Sequence, residues 1–244
     1  MAKRPARNLK STKASYAIEG DPVVAFHDPR GISKLRKKAE PLEAQTEAQG
    51  HYLHALESAT LVFAIGPAGT GKTYVASAFA AEQLAQKRIQ QIIITRPNIE
   101  VGAGMGFLPG ELEEKYAPFL APFREVMIER MGISQYEYNL KTEKISPRPL
   151  AYMRGATFNN AFVILDEAQN TTPAEMKMFL TRIGRNCTVV VDGDPQQCDL
   201  NGPSGLNDAV RRLEGIPGIS VVEFTEDDIV RSGIIKDILV AYRH

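Results

Sequence analysis

The sequence predicts an α/β fold: a doubly wound, mainly parallel sheet of at least five strands, with an inserted helical or hairpin segment. Three features carry that expectation. Short runs of β-branched and apolar residues recur along the chain, helix-patterned segments lie between them, and a Gly-rich loop joins the first run to the first helix. Strands covered on both faces read as continuous apolar runs, and strands that alternate with helices build parallel sheets.

From the N-terminus, the strand candidates are LVFAI (61–65), QIIIT (91–95), AFVIL (161–165), TVVV (188–191) and ISVVEF (219–224). The helix candidates fit between them. Residues 74–87 are Ala-rich. Met176, Phe179, Leu180 and Ile183 keep the spacing of one apolar helix face, entered through Thr172 as N-cap, Pro173 at the first helical position and Glu175 in a capping box, and closed by Gly184. Ser204 caps a further helix through Leu206, Ala209, Val210 and Leu213 to Gly215, and Ile234, Ile238, Leu239 and Tyr242 mark a last one over about 233–243. The stretch from about 97 to 160 is too long for a simple crossover. It holds a Gly-rich turn (102–110), a helix-like segment broken by Pro118 and Pro122, and a Tyr- and Lys-containing segment (136–148) that fits a hairpin.

A chain of 244 residues with 43% hydrophobic content suffices for one principal domain with a sizeable core. Residues 1–44 read as a basic, flexible arm, with Lys3, Arg4, Arg7, Lys10 and Lys13 and no acid in the first 13, and residues 45–244 read as the domain. The 29 basic and 29 acidic residues cancel, so no global field draws the chain to nucleic acid or membrane and any such binding is local. No apolar run approaches the roughly 20 residues of a membrane span and the polar start lacks a secretory signal, so a soluble, cytoplasmic protein is expected. Cys187 and Cys198 are too few for a disulfide scaffold or a four-ligand zinc site.

The candidate chemistry sits at the ends of three strands. Gly66-Pro67-Ala68-Gly69-Thr70-Gly71-Lys72-Thr73 matches G-x-x-x-x-G-K-[ST] between a strand and a helix, the context a phosphate-binding loop requires. Its glycines let backbone N–H groups turn toward phosphate oxygens, and the helix N-terminus adds partial positive charge. Lys72 is expected at the β- and γ-phosphates of ATP, Thr73 at Mg2+, and Tyr74 beside the bound nucleotide. After AFVIL come Asp166 and Glu167, the first placed for the magnesium shell and the second for deprotonating the attacking water. After TVVV comes Asp192-Gly193-Asp194-Pro195-Gln196-Gln197, in which the Gln197 amide can sense the γ-phosphate, an ordinary turn being the alternative.

These segments, with ITRP (94–97), GFLPGELEEKYAPF (106–119), the long block AYMRGATFNNAFVILDEAQNTTPAEMKMFLTRIG (151–184), GDPQQCDL and GISVVEFTEDDIVRSGIIKDI, resemble the PhoH family over roughly residues 42–243. That family consists of ATPases similar to the motor core of superfamily 1 helicases, so the resemblance implies a RecA-like P-loop NTPase fold. It also implies that Gln49, or Gln45 in the alternative register, reads adenine and that Arg231 touches the γ-phosphate. The resemblance points to a motor on single-stranded nucleic acid, RNA favoured over DNA. Thr95-Arg96-Pro97 stand where helicases contact the strand, and Tyr136, Tyr138, Lys141, Lys144 and Arg154 are candidates for stacking and backbone contact. A single such domain is expected to work as a homo-oligomeric ring, most plausibly a hexamer, with Arg182, Arg211 and Arg212 as further candidates for an arginine acting between subunits. The alternative is a nucleotide-driven switch or remodelling ATPase with a protein partner. A small-molecule kinase fits less well, since the acid and amide groups suit water activation.

Overall fold

In the computed structural model the described residues are 40–97 and 112–230, excluding the side chains of 112–119. All belong to the unit Lys38–His244. Residues 1–39 of the basic arm, the Gly-rich turn, the helix expected at 233–243 and Arg231 lie outside the described residues.

Six strands form one sheet, β1 (Leu61–Ile65), β2 (Gln91–Thr95), β3 (Ile145–Pro147), β4 (Ala161–Leu165), β5 (Cys187–Gly193) and β6 (Ile219–Glu223), in the order β3-β2-β4-β5-β1-β6. Every pairing is parallel. The expected doubly wound α/β sheet is present, with one strand more than the five read from sequence.

The apolar runs are continuous because each strand feeds two cores. On one face Val62, Ala64, Ile92, Ile94, Phe162, Ile164 and Val190 pack with α1 (Glu47–Ser58), α2 (Lys72–Ala85) and α3 (Leu112–Met131). On the other, Leu61, Phe63, Ile93, Val163, Leu165, Val189 and Val191 pack with α5 (Pro173–Leu180) and α6 (Gly205–Leu213). Alternate side chains of one strand point to opposite faces, so burial on both leaves no polar alternation to read. All six strands end at the same edge, and the site lies there.

Three expectations need correction. The helix-like segment is not broken at Pro118 and Pro122; α3 runs through both. A proline costs its helix a hydrogen bond and usually kinks it; here Leu120, Phe123, Met127 and Met131 anchor the helix in the core. Residues 136–148 are not a hairpin. They comprise α4 (Ile133–Lys141), which buries Tyr136 and Asn139, followed by β3, a three-residue edge strand parallel to β2. Proline at its end, Pro147, is tolerated on an edge. Gly184 does not close α5, which stops at Leu180 with its capping box at Thr172 and Glu175 in place. A Cβ at Gly184 would come within 2.4 Å of the Phe158 carbonyl oxygen, so glycine serves close packing beside the entry to β4.

Candidate nucleotide-binding site

The loop between β1 and α2 turns on Gly69 and Gly71, at φ 88° and 86°, a left-handed conformation that glycine adopts without steric cost. Lys72 folds back over it, its Nζ donating to the carbonyls of Gly66 (2.7 Å) and Pro67 (2.8 Å), while Thr70 Oγ1 donates to Pro67 (3.0 Å). The outer flank is held by neutral contacts. Gln49, buried on α1, donates from Nε2 to the Thr70 carbonyl (3.0 Å) and accepts at Oε1 from the Gln45 N–H (2.9 Å). The Val230 N–H donates to Gly69 (3.0 Å), and a Cβ on Gly66 would lie 2.2 Å from the Phe224 carbonyl oxygen.

The inner flank is charged. Lys72, Arg96, Asp166, Glu167, Asp192 and Asp194 line one cleft of ≈ 320 Å³ with Thr73 and Gln197. Asp166 follows β4 and accepts from Arg96 Nε at 2.6 Å, with the terminal guanidinium nitrogen also on the same oxygen. Asp192, on the neighbouring strand β5, is 1% exposed, and its Oδ2 meets no hydrogen-bond partner among the described residues. Burial, reinforced by Asp166, holds the Asp192 carboxyl well above the usual carboxylate range. Burial also pushes the Lys72 ammonium down, against the pull of Asp192, Asp194, Asp166 and Glu167.

Glu167 adopts φ 55°, ψ 37°, a left-handed conformation uncommon for a residue with a side chain, and its carboxylate borders the cleft. Gln169, 1% exposed, steadies it. Its Nε2 donates to Glu167 Oε2 (2.7 Å) and to the Gln197 carbonyl (3.4 Å), while its Oε1 accepts from the Asp194 N–H (3.1 Å). Sequence reasoning assigned Gln169 and Asp192 no role. The available signal was position: Gln169 stands two residues after the assigned Glu167, and Asp192 opens the strand-end segment that contains Gln197.

Of the residues read from sequence, Ala68, Gly69, Gly71, Lys72, Thr73, Tyr74, Asp166, Glu167 and Gln197 border this cleft, as does Arg96, which was read as a strand contact. Gly66 and Pro67 face an adjoining hollow of ≈ 210 Å³, and Thr70 is buried under the loop. Gln197 is exposed, with its amide on Asp194 Oδ2 at 2.8 Å. Tyr74 donates its hydroxyl to Glu129 at 3.0 Å. The residues grouped for strand contact are not together. Tyr136 is buried, Tyr138 and Lys144 meet at 5.5 Å beside the edge where the strands begin, and Arg154 lies past the end of β3. Arg182, Arg211 and Arg212 also stand toward the edge where strands begin, the last two paired with Asp208.

A profile of the PhoH-like protein family matches residues 41–243. The chain belongs to that family. It is similar to Protein PhoH of Escherichia coli K12, 48% identical over 216 residues that cover 87% of this chain and 61% of that one. It is also similar to the PhoH-like proteins of Bacillus subtilis (45% over 207 residues, 84% and 65%) and Mycobacterium tuberculosis H37Rv (46% over 210 residues, 85% and 60%). The chain thus spans less than two thirds of the length of these PhoH-like relatives. Among solved structures it is similar to the Pif1 helicase of Candida albicans, at 16% identity and a TM-score of 0.38, covering 75% of this chain and 40% of that one.

The PhoH-like site fits a magnesium nucleotide better than a bare ion. Among the described residues no three acidic, histidine or cysteine side chains converge to hold a metal by themselves. Magnesium keeps several waters and takes one or two protein oxygens plus phosphates, which matches Thr73 and Asp166 in a cleft beside the loop. No helix among the described residues is long and apolar enough to cross a membrane.

Proposed function

We propose that this chain hydrolyses ATP to drive a motor on single-stranded nucleic acid, RNA before DNA, working in the cytoplasm as a homo-oligomeric, hexameric ring. The observation that carries the reading is the meeting of Lys72, Thr73, Asp166, Glu167 and Gln197 around one cleft at the sheet edge where all six strands end. On ligand entry Lys72 exchanges the carbonyls of Gly66 and Pro67 for phosphate oxygens. Thr73 and Asp166 would hold Mg2+, which would supply neutralising charge to the phosphates. Glu167, held by Gln169, takes the proton of the attacking water, and Gln197 leaves Asp194 to contact that water and the γ-phosphate. Gln49 has both amide atoms engaged, so within this reading it shapes the loop, and the exposed Gln45 is the amide available for adenine.

Among the described residues the cleft is lined from one sheet edge with α2 and α3, and in this reading a second protein surface completes the γ-phosphate side. A neighbouring copy that supplies Arg231, or another arginine, meets that need. Mixing inactive Lys72→Ala with inactive Arg231→Ala subunits restores ATPase activity if the arginine acts in trans. Full activity in a monomer sinks the ring.

A protein-remodelling ATPase is the second reading, favoured by the dispersal of the residues grouped for strand contact, with Tyr136 in the core and Tyr138, Lys144 and Arg154 outside it. The ATPase rate measured with single-stranded RNA, single-stranded DNA and duplexes separates the two. Stimulation by single strands supports the motor; no response to any nucleic acid leaves the remodelling ATPase.

A further inference from the structure

Arg96 leaves β2 one residue after Thr95, and Asp166 leaves β4 one residue after Leu165; Thr95 and Leu165 are register partners. The two side chains therefore start from adjacent strands at the same height. The guanidinium closes on Asp166 Oδ2 through two nitrogens and lies 5.8 Å from the Phe123 ring of α3, which backs it with an aromatic face. Both partners are largely withdrawn from water, at 17% and 6% side-chain exposure. Lys72 is spent on loop carbonyls, so Arg96 is the cation in contact with Asp166.

We propose that Arg96 excludes free divalent cations from the cleft, so that the metal enters only in company with a nucleotide. This rests on the reading of the cleft as a magnesium-nucleotide site and adds an order of binding to it. A hydrated ion arriving alone must displace a charge-assisted, partly buried pair and gains one carboxylate in return. A metal arriving on a triphosphate brings new acceptors into the same cleft, and the planar fork of an arginine binds phosphate as readily as carboxylate. Arg96 then loses Asp166 without losing a partner.

Manganese, visible by electron paramagnetic resonance, reports the free ion. With the full chain and no nucleotide, wild type is expected to bind Mn2+ at least tenfold more weakly than Arg96→Gln, and adding Asp166→Asn to Arg96→Gln is expected to abolish the gain. Adding a non-hydrolysable ATP analogue tightens Mn2+ binding in wild type by a larger factor than in Arg96→Gln, because the analogue offers the displaced guanidinium an acceptor. Equal Mn2+ affinity in folded wild type and Arg96→Gln overturns the proposal, as does a gain that survives Asp166→Asn. Should Arg96→Gln fail to fold, Arg96→Lys, which keeps the charge but not the two-nitrogen contact, is expected to bind Mn2+ more tightly than wild type; no change there overturns the proposal equally. The underlying reading is tested apart from this by binding of the magnesium-bound analogue to wild type and Lys72→Ala. Equal affinity in those two would refute the nucleotide site whatever manganese does.

Discussion

The two flanks of the phosphate loop are built from opposite materials. Toward β4 and β5 stand four acids and two cations, two of the acids 4% and 1% exposed. Toward α1 and β6 the loop meets an amide, a backbone N–H and a carbonyl, all neutral. The contrast separates two duties. Charge faces the place where ligand charge is to go and is sensitive to pH, salt and metal, whereas the neutral flank fixes the shape of the loop under all those conditions.

Substitutions can break this division. The largest effect is expected from Glu167→Gln, which removes the proposed base but keeps the shape: turnover falls about 10²–10⁴-fold while ATP affinity stays within a few-fold. Single-turnover hydrolysis beside a binding titration checks it, and near-normal turnover would move water activation to another group. Lys72→Ala takes away the counter-charge of the phosphates, so ATP affinity drops roughly 100-fold or more by fluorescent-nucleotide titration. Gly66→Ala attacks the neutral flank. At φ 143° and with the Phe224 carbonyl in the way, it is expected to lose about 1–3 kcal/mol of stability in denaturant unfolding. An unchanged midpoint would show that the outer flank yields more easily than its contacts imply.

The smallest effect sharpens the comparison through pH. Burial raises the pKa of Asp192 in the native state, so the native state gains from its proton below the unfolded carboxylate pKa of about 4, and that gain is lost as pH rises through the raised native value. Asn stays neutral throughout. Without ligand, Asp192→Asn is expected to be more stable than wild type at pH 7 and to have a flatter stability profile above pH 4, each unit of raised pKa being worth about 1.4 kcal/mol. A profile unchanged by the substitution would mean that Asp192 is charged in the native protein.

The central elements were legible in the sequence because local and tertiary signals agree there. LVFAI, QIIIT and AFVIL are buried on both faces and read as strands without help, and the loop glycines announce their backbone. The capping box at Thr172 and Glu175 was equally plain. The edge of the sheet was not. β3 has three residues, too few for a period, and takes its conformation from pairing with β2; α3 carries prolines that local propensity reads as stops and that its packed half overrides. In the site, individual charges could be placed at strand ends, but their pairing could not. That Arg96 would meet Asp166, and Gln169 both Glu167 and Asp194, follows from strand order and register, which a linear pattern does not contain.

Gln169 has a consequence beyond holding Glu167. Its amide presents N–H groups to the Glu167 carboxylate and the Gln197 carbonyl, and an oxygen to the Asp194 N–H. A half-turn of that amide would set oxygen against oxygen and N–H against N–H, forfeiting every contact at once. The ends of β4 and β5 are therefore joined through one side chain whose orientation is fixed by three polar contacts at once.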